Sequence, residues 1–154
     1  MSNVRLEGGC QCGAVRYHLS APPAMVYACH CTICRRISTS AFNISVIVDE
    51  NTLHIDQGTL GRLDWTAHND IKRYGEFCVT CGGRIRHGHT PSQGIFVLRG
   101  GTLDDQRWAR PAAHIWLDDA LPWFTPPEDD LHYAVQPVDY TPIIDLYAER
   151  IKDF

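Results

Sequence analysis

The sequence predicts a mainly β fold of antiparallel strands, with short helical turns and one helix at the C-terminus. Three observations lead to this prediction. Several short stretches alternate apolar and polar residues, turn-forming residues separate these stretches, and only two segments have a helical pattern. The 154 residues, 44% hydrophobic and 21% charged, have the composition of one globular domain with its own core.

The predicted strands begin near residue 15. Val15, Tyr17 and Leu19 alternate with Arg16 and His18, and this period of two is typical of a strand with one buried face. The same alternation, or a short β-branched run between glycines, predicts three further strands, at residues 42–48, 53–55 and 95–98.

Two segments have a helical pattern. Residues 32–38 are predicted to form a short helix or turn after a cysteine cluster. At the C-terminus, Thr141 can act as the N-cap and Pro142 can occupy the first helical position. An apolar stripe then recurs every four residues and consists of Ile143, Tyr147 and Ile151. This stripe offers either a core contact or a homodimer contact.

A segment rich in Pro, Trp and Asp, residues 104–139, lies between the last predicted strand and the C-terminal helix. Its composition predicts an ordered coil packed over the sheet rather than long regular elements. Two tryptophans of this segment, Trp116 and Trp123, are predicted to belong to the core or to a pocket wall.

Charge and hydropathy exclude two classes of partner. The 14 basic and 18 acidic residues give a net charge of −4, and the sequence has no basic stripe that would bind nucleic acid. The longest charge-free apolar stretch, residues 41–48, is far shorter than the ~20 residues that span a bilayer. The N-terminal residues have no apolar signal core, so we expect a cytoplasmic protein without a membrane partner.

The seven cysteines are the strongest chemical signal in the sequence. An odd count leaves one thiol over in any disulfide framework, and a reducing cytosol would not keep the others paired. The cysteines fall into three tight clusters: Cys10 and Cys12; Cys29, Cys31 and Cys34; and Cys78 and Cys81. This spacing favours metal binding.

Four of these cysteines form a candidate structural zinc site. The pair Cys78 and Cys81 has the spacing of a zinc knuckle, and the glycine after it can adopt a positive φ. One pair cannot fill a tetrahedral shell, but Cys10 and Cys12 supply two more thiolates. A closed shell of four thiolates leaves no position for a substrate, so this site is predicted to stabilise the fold.

The remaining cysteines, Cys29, Cys31 and Cys34, supply three thiolates and leave one position of a tetrahedral zinc open. An open position is the arrangement of a catalytic site. A zinc ion with three thiolates carries a net charge of about −1, which makes it a weak Lewis acid for producing hydroxide. Such a site is better suited to holding an incoming thiol as a thiolate, which favours sulfur chemistry over hydrolysis.

Two other interpretations of this cluster stay open. A distant histidine such as His114 could complete the shell and give an inert site of three cysteines and one histidine. Cys31 and Cys34 also have the spacing of a redox-active dithiol, although the βαβ context of that motif is missing. His30 lies between two of the ligands, and a strand-like chain would point its side chain away from the same ion.

Four further side chains are candidates for chemistry at the open site. Arg35 and Arg36 directly follow the cluster, where they could receive the carboxylate of an anionic thiol or balance the charge of the cluster. His30 and His114 could transfer the proton of an adduct's hydroxyl group, since an imidazole titrates near neutrality.

The order of several short motifs resembles the glutathione-dependent formaldehyde-activating enzyme family, which includes centromere protein V-like members. The motifs run from about Gly8 to Tyr133 and are GGCQCGAVRY, CHCTICRR, SAF, FCVTCGG, GGTLDD, HIW and a later PW. The resemblance implies an antiparallel β-tent type zinc-binding fold over residues 1–136, with a helical extension at residues 137–154 packed on the same domain. It also implies two zinc ions per chain.

By the same resemblance, the structural zinc ligands are Cys10, Cys12, Cys78 and Cys81, and the catalytic zinc ligands are Cys29, Cys31 and Cys34. The implied activity is that of a carbon–sulfur lyase acting on S-hydroxymethylglutathione, the adduct of glutathione and formaldehyde. Two alternatives from other classes are a thiol carrier that binds glutathione or its adduct without catalysis, and an interaction module whose zinc only shapes a protein-binding surface.

Overall fold

The computed structural model describes residues 4–154, so the first three residues of the expected domain lie outside the described part of the chain. The predicted mainly β fold with a C-terminal helix is confirmed. The strands are β1 (Leu6–Gly9), β2 (Arg16–Leu19), β3 (Met25–Cys29), β4 (Asn43–Asp49), β5 (Leu53–Gln57), β6 (Leu60–Thr66), β7 (Lys72–Cys78), β8 (Arg84–His89), β9 (Ile95–Arg99), β10 (Ala113–Ile115) and β11 (Leu131–His132). The α-helices are α1 (Thr32–Ser38) and α2 (Thr141–Ile151).

The strands form two sheets. A three-stranded sheet has the order β1-β2-β5, and an eight-stranded sheet has the order β11-β10-β3-β4-β9-β8-β7-β6. Neighbouring strands are antiparallel except at β10, which is parallel to both β3 and β11. The predicted strands correspond to β2, β4, β5 and β9, and α1 has the predicted bounds.

The segment between residues 104 and 139 is mostly coil, as predicted, but it adds two strands to the large sheet. Strand β10 places His114 beside Ala28 of β3, and β11 places His132 beside His114. These strands are three and two residues long, too short for a periodic pattern to predict them. The edge that they form lies next to the strand that ends in Cys29.

Helix α2 packs its apolar stripe into the protein core. Ile143 is fully buried and Tyr147 is 1% exposed, and the Tyr147 hydroxyl donates a hydrogen bond to the Trp108 carbonyl at 2.8 Å. The helix begins at Thr141 rather than after it, and its N-cap, Tyr140, makes no side-chain hydrogen bond. The predicted capping role of Thr141 is therefore wrong. No helix within residues 4–154 has both the length and the apolar character needed to cross a membrane.

Candidate functional site

The first thiol cluster joins the two sheets. Cys10 and Cys12 follow β1 of the small sheet, whereas Cys78 and Cys81 lie at the turn between β7 and β8 of the large sheet. The four Sγ atoms lie within 4.8 Å of one another. The Cys10 and Cys12 sulfurs are 3.5 Å apart, and the Cys12 and Cys78 sulfurs are 3.8 Å apart. These distances are far above the ~2.05 Å of a disulfide, and in the described chain all seven cysteines are free thiols.

Tight turns bring these four sulfurs together. Gly13 and Gly82, which follow the two pairs, have positive φ angles of 77° and 76°, a conformation that glycine adopts without steric cost. The Val15 N–H donates to the Cys10 sulfur at 3.2 Å, and the Thr80 N–H donates to the Cys78 sulfur at 3.4 Å. Backbone donors of this kind stabilise thiolates, so the chain is shaped for anionic sulfur at this position.

The second thiol cluster comes from one short segment. Cys29 ends β3, Cys31 is the N-cap of α1, and Cys34 lies in the first turn of that helix. The three Sγ atoms lie within 4.8 Å of one another. The Cys31 sulfur accepts a hydrogen bond from the Cys34 N–H at 3.3 Å. Hydrogen bonds from Cys29 and then Cys34 lower the pKa of the Cys31 thiol, so Cys31 is the member of this cluster that favours the thiolate.

Both clusters could hold a metal ion. Thiolates are ligands that zinc prefers, four of them fill a tetrahedral shell, and three leave one position open. The surroundings of the two clusters also differ. Cys29, Cys31 and Cys34 line a cavity of about 190 Å³, and the four-cysteine cluster contributes none of that cavity's described lining.

Aromatic and imidazole side chains form much of the cavity wall. Trp65 comes from β6, and His68 lies in the loop that follows β6. Trp116 follows β10, and its ring stacks on the His68 ring with 5.2 Å between centroids. The predicted role of Trp116 as core or pocket wall therefore holds, whereas Trp123 is 71% exposed and belongs to neither.

A basic wall on the same sheet face adjoins Trp65, and the sequence patterns do not reveal it. Arg73, His87 and Arg99 line the cavity from β7, β8 and β9. His87 is 5% and Arg99 is 6% exposed. Burial, followed by the charges of Arg99 and Arg73, lowers the pKa of His87 well below its usual value, so this imidazole is neutral near pH 7.

The two histidines predicted for proton transfer lie elsewhere. His30 Nε2 is 2.9 Å from His114 Nδ1, and His114 Nε2 is 3.1 Å from a carboxylate oxygen of Asp130. Arg150 of α2 holds the other oxygen of Asp130 at 2.8 Å. Neither His30 nor His114 is among the described residues that line the cavity. Both His114 nitrogens face other side chains, which argues against this residue as a fourth ligand of the three-cysteine cluster.

Arg35 and Arg36 also lie outside the cavity. The Arg35 Nε donates to the His30 carbonyl at 3.2 Å, and Arg36 is exposed. Both side chains line a separate shallow depression beside Thr39 and Ser40. The helical turn that contains the arginines rotates them away from the sulfurs. The geometry therefore does not favour the predicted contact with a substrate carboxylate.

Together the fold and the site define a mainly β protein with one closed thiol cluster and one that opens into a cavity. The sequence matches the family model described as "Glutathione-dependent formaldehyde-activating enzyme" over residues 5–119. The chain belongs to this family. Residues 120–154, which include Asp130 and Arg150, lie outside the match.

One solved structure supports the fold. The crystal structure of a Rhodobacter sphaeroides protein from the Northeast Structural Genomics effort is similar, with a TM-score of 0.51 and 20% sequence identity. The similarity covers 82% of this chain and 98% of the other chain. At this identity the likeness concerns the fold alone. A search of curated proteins found no match.

Proposed function

We propose that the protein is a zinc-dependent carbon–sulfur lyase acting on a small thiol–aldehyde adduct such as S-hydroxymethylglutathione. The observation that carries this proposal is a cluster of three thiols lining a largely enclosed cavity in a chain of this family. A purely structural site would have no need to face a cavity.

The two clusters would hold one zinc ion each. Cys10, Cys12, Cys78 and Cys81 would form the closed structural site, and Cys29, Cys31 and Cys34 the open one. When bound at the open site, zinc would supply a Lewis acid that keeps a substrate thiol deprotonated at neutral pH. The donor sets support this assignment because every ligand is a thiol and each set is compact.

The chain's own residues would prepare the adduct for cleavage. The rings of Trp65 and Trp116 would exclude water from the reacting carbon. When the C–S bond breaks, its electron pair goes to sulfur, and the hydroxyl oxygen loses its proton as the carbonyl forms. Two imidazoles of the described residues line the cavity, and the acceptor nitrogen of one of them, His87 Nε2, is already occupied by a hydrogen bond from Arg73. His68 is therefore the cavity imidazole placed to accept that proton, since neither His30 nor His114 lines the cavity. The proton finally goes to the thiol that is released.

The His30–His114 pair is better suited to positioning than to direct proton transfer. His30 lies between Cys29 and Cys31, and its ring packs against Phe124 with 4.5 Å between centroids. Because His114 and Phe124 both contact the His30 ring, they would fix the backbone between Cys29 and Cys31. We also propose that residues 137–154 are an extension of the domain formed by residues 1–136, supported by the burial of Ile143 and Tyr147 of α2.

Two measurements test the proposal. Metal analysis of the purified protein is expected to give two zinc ions per chain. Exchange NMR is expected to show faster equilibration of S-hydroxymethylglutathione with glutathione and formaldehyde when the protein is added. Two zinc ions with no acceleration for any thiol adduct would contradict the lyase. Tight adduct binding without acceleration would indicate a thiol carrier instead.

A further inference from the structure

We infer that the cavity contains a carboxylate-binding subsite formed by Arg99, His87 and Arg73, and that the substrate held there is a compact thiol acid. The inference rests on the proposed function, because it assumes that the substrate sulfur lies at the three-cysteine cluster. It names the substrate class of that site, and it places the anion-binding groups on strands rather than on helix α1, which carries Arg35 and Arg36.

The strand register puts these groups on one face of the large sheet. Directly paired residues of neighbouring strands point to the same side, and residues two apart along a strand share that side. Tyr27 of β3 pairs with Ser45 of β4, and Ser45 pairs with Arg99 of β9. Two residues before Arg99, Val97 pairs with His87 of β8. The face that carries Arg99 therefore also carries His87.

The same face continues across the next strands. His87 pairs with Gly75 of β7, and Arg73 lies two residues before Gly75 and pairs with Trp65 of β6. Every residue in this series from Tyr27 to Trp65 lines the cavity, except Gly75 and Val97. The basic wall is thus built on strands, and strands hold side chains more rigidly than loops do.

Arg99 is the strongest sign of a missing anion. Arg99 is 6% exposed, and none of its three guanidinium nitrogens has a hydrogen-bond partner among the groups that the structure describes. Buried polar groups are rarely left unpaired in native proteins, and an unpaired buried charge is the most costly case. Burial lowers the pKa of Arg99 to about 10, so the side chain is still charged at neutral pH. A planar guanidinium matches a carboxylate with two parallel hydrogen bonds.

His87 adds a neutral donor beside this charge. The Arg73 Nη1 donates to His87 Nε2 at 3.2 Å, so in the neutral ring the proton is on Nδ1. That buried N–H has no partner among the described residues, and neither do Arg73 Nε and Trp65 Nε1. Four cavity side chains thus have unpartnered donor atoms, and all of these atoms donate rather than accept. The pattern at these four side chains fits an anion rather than a cation.

The subsite adjoins the thiol cluster, and this limits the size of the substrate. Arg99 and the thiols of Cys29 and Cys34 line the same cavity, so a ligand that reaches both groups must fit within it. The cavity volume of about 190 Å³ is below the ~300 Å³ at which typical ligand pockets begin. A thiol whose carboxylate is a few bonds from its sulfur fits both the short separation of the two groups and the small volume of the cavity. Any larger part of a substrate would extend through the mouth of the cavity.

Titration calorimetry on the full-length, metal-loaded protein tests the inference without reference to catalysis. The probes are 3-mercaptopropionate and its methyl ester, which differ in one negative charge. The acid is expected to bind about tenfold or more tightly than the ester. Arg99→Gln is expected to remove this preference. Arg62→Gln, a change at an exposed arginine of β6 paired with Asp64, is expected to keep it.

Equal affinity for acid and ester in the wild-type protein would overturn the inference, and it would mean that Arg99 only balances the charge of the thiolates. This comparison needs no variant, so it decides the matter even if Arg99→Gln fails to fold. A preference that survives in a folded Arg99→Gln protein would also overturn it. Glutathione binding more than tenfold tighter than 3-mercaptopropionate would overturn the compact-substrate part.

The outcome is separable from that of the proposed function. Acid selectivity without accelerated adduct exchange would leave the subsite standing and remove the lyase. Accelerated exchange with equal affinity for acid and ester would leave the lyase standing and remove the subsite.

Discussion

The four-cysteine cluster joins two sheets through turns at the protein surface, whereas the three-cysteine cluster lies within one segment and faces a cavity. Cys12 and Cys81 are exposed, but the ligand set around them is complete. Cys29 and Cys31 are buried, yet their cluster has one ligand fewer. Exposure to solvent therefore does not mark the cluster that we propose as the reactive site. What distinguishes the two clusters is the number of thiols and the empty space beside them.

The clusters also differ in what supports them. The four-cysteine cluster is supported by backbone N–H groups and by glycine turns that lie within five residues of its cysteines. The three-cysteine cluster is backed by a chain of side chains from His30 through His114 and Asp130 to Arg150, which reaches into α2. The comparison predicts that loss of a cysteine from the four-cysteine cluster destabilises the whole fold. Loss of a cysteine from the three-cysteine cluster is predicted to affect mainly that site.

The largest expected effect is the loss of the fold in Cys81→Ser. Cys81 is exposed, so the change removes a ligand without disturbing buried packing. Structural zinc sites contribute about 10 kcal/mol or more of binding free energy, which is comparable to the whole stability of a domain. We expect no cooperative thermal unfolding transition by circular dichroism. Val79→Ala, in the same turn at a 56% exposed position, is expected to unfold like the wild type.

A well-folded Cys81→Ser protein with both metal ions would show that the four-cysteine cluster does not hold the sheets together. The two clusters would then differ less than their geometry indicates.

The second prediction concerns Cys34→Ser, which removes one ligand of the other cluster. We expect the metal content to fall from two ions to one, the acceleration of adduct exchange to disappear, and the free energy of unfolding to fall by about 1–2 kcal/mol. The loss is small because this cluster lies within one segment and does not join the sheets. Metal analysis, exchange NMR and urea denaturation of the same sample check the three parts. Global unfolding of this variant would remove the contrast between the clusters.

The third prediction tests the side chains behind the three-cysteine cluster. Asp130→Ala leaves the buried His114 and the half-buried Arg150 without the Asp130 carboxylate, and we expect a loss of about 2–4 kcal/mol in urea denaturation. The matched control is Asp129→Ala, since the Asp129 side chain is 66% exposed, pairs closely with Arg110 at 2.7 Å and reaches Arg150 only at 3.5 Å. Such pairs contribute about 0–1 kcal/mol.

If Asp130 supports the three-cysteine cluster through His114 and His30, the Asp130→Ala protein is expected to release one metal ion to a chromogenic chelator faster than the wild type does. The other ion is expected to leave at the wild-type rate. Equal acceleration for both ions would indicate general destabilisation instead.

The sequence predicted the parts of the site that depend on short spacings. The three cysteine clusters and helix α1 follow from residues at most a few positions apart, so a linear pattern contains them. The His30–His114 contact spans 84 residues and depends on the parallel pairing of β3 with β10, a strand of three residues. No periodicity predicts such a strand.

The basic wall was missed for a related reason. Arg99 directly follows the strand predicted at residues 95–98, but its position in the cavity depends on the order and register of β4, β9 and β8. Arg35 and Arg36 were selected because they adjoin the cysteines in sequence, and the turn of α1 then directs them elsewhere. Nearness in sequence groups the cysteines of each short motif, but it does not predict which side chains line the cavity, because the cavity residues come from several strands.

The smallest predicted effect isolates the turn of the four-cysteine cluster. Gly82 has a φ of 76°, and a Cβ built there would have no neighbour within 4 Å. Steric crowding cannot contribute, so the cost of Gly82→Ala is that of the left-handed backbone alone, about 1–2 kcal/mol. Gly101 likewise has open space around its Cβ position, but its φ is not positive. Gly101→Ala is therefore expected to change the free energy of unfolding by less than about 0.5 kcal/mol. Equal losses in urea denaturation of the two variants would show that the turn is not held in the conformation that presents Cys78 and Cys81.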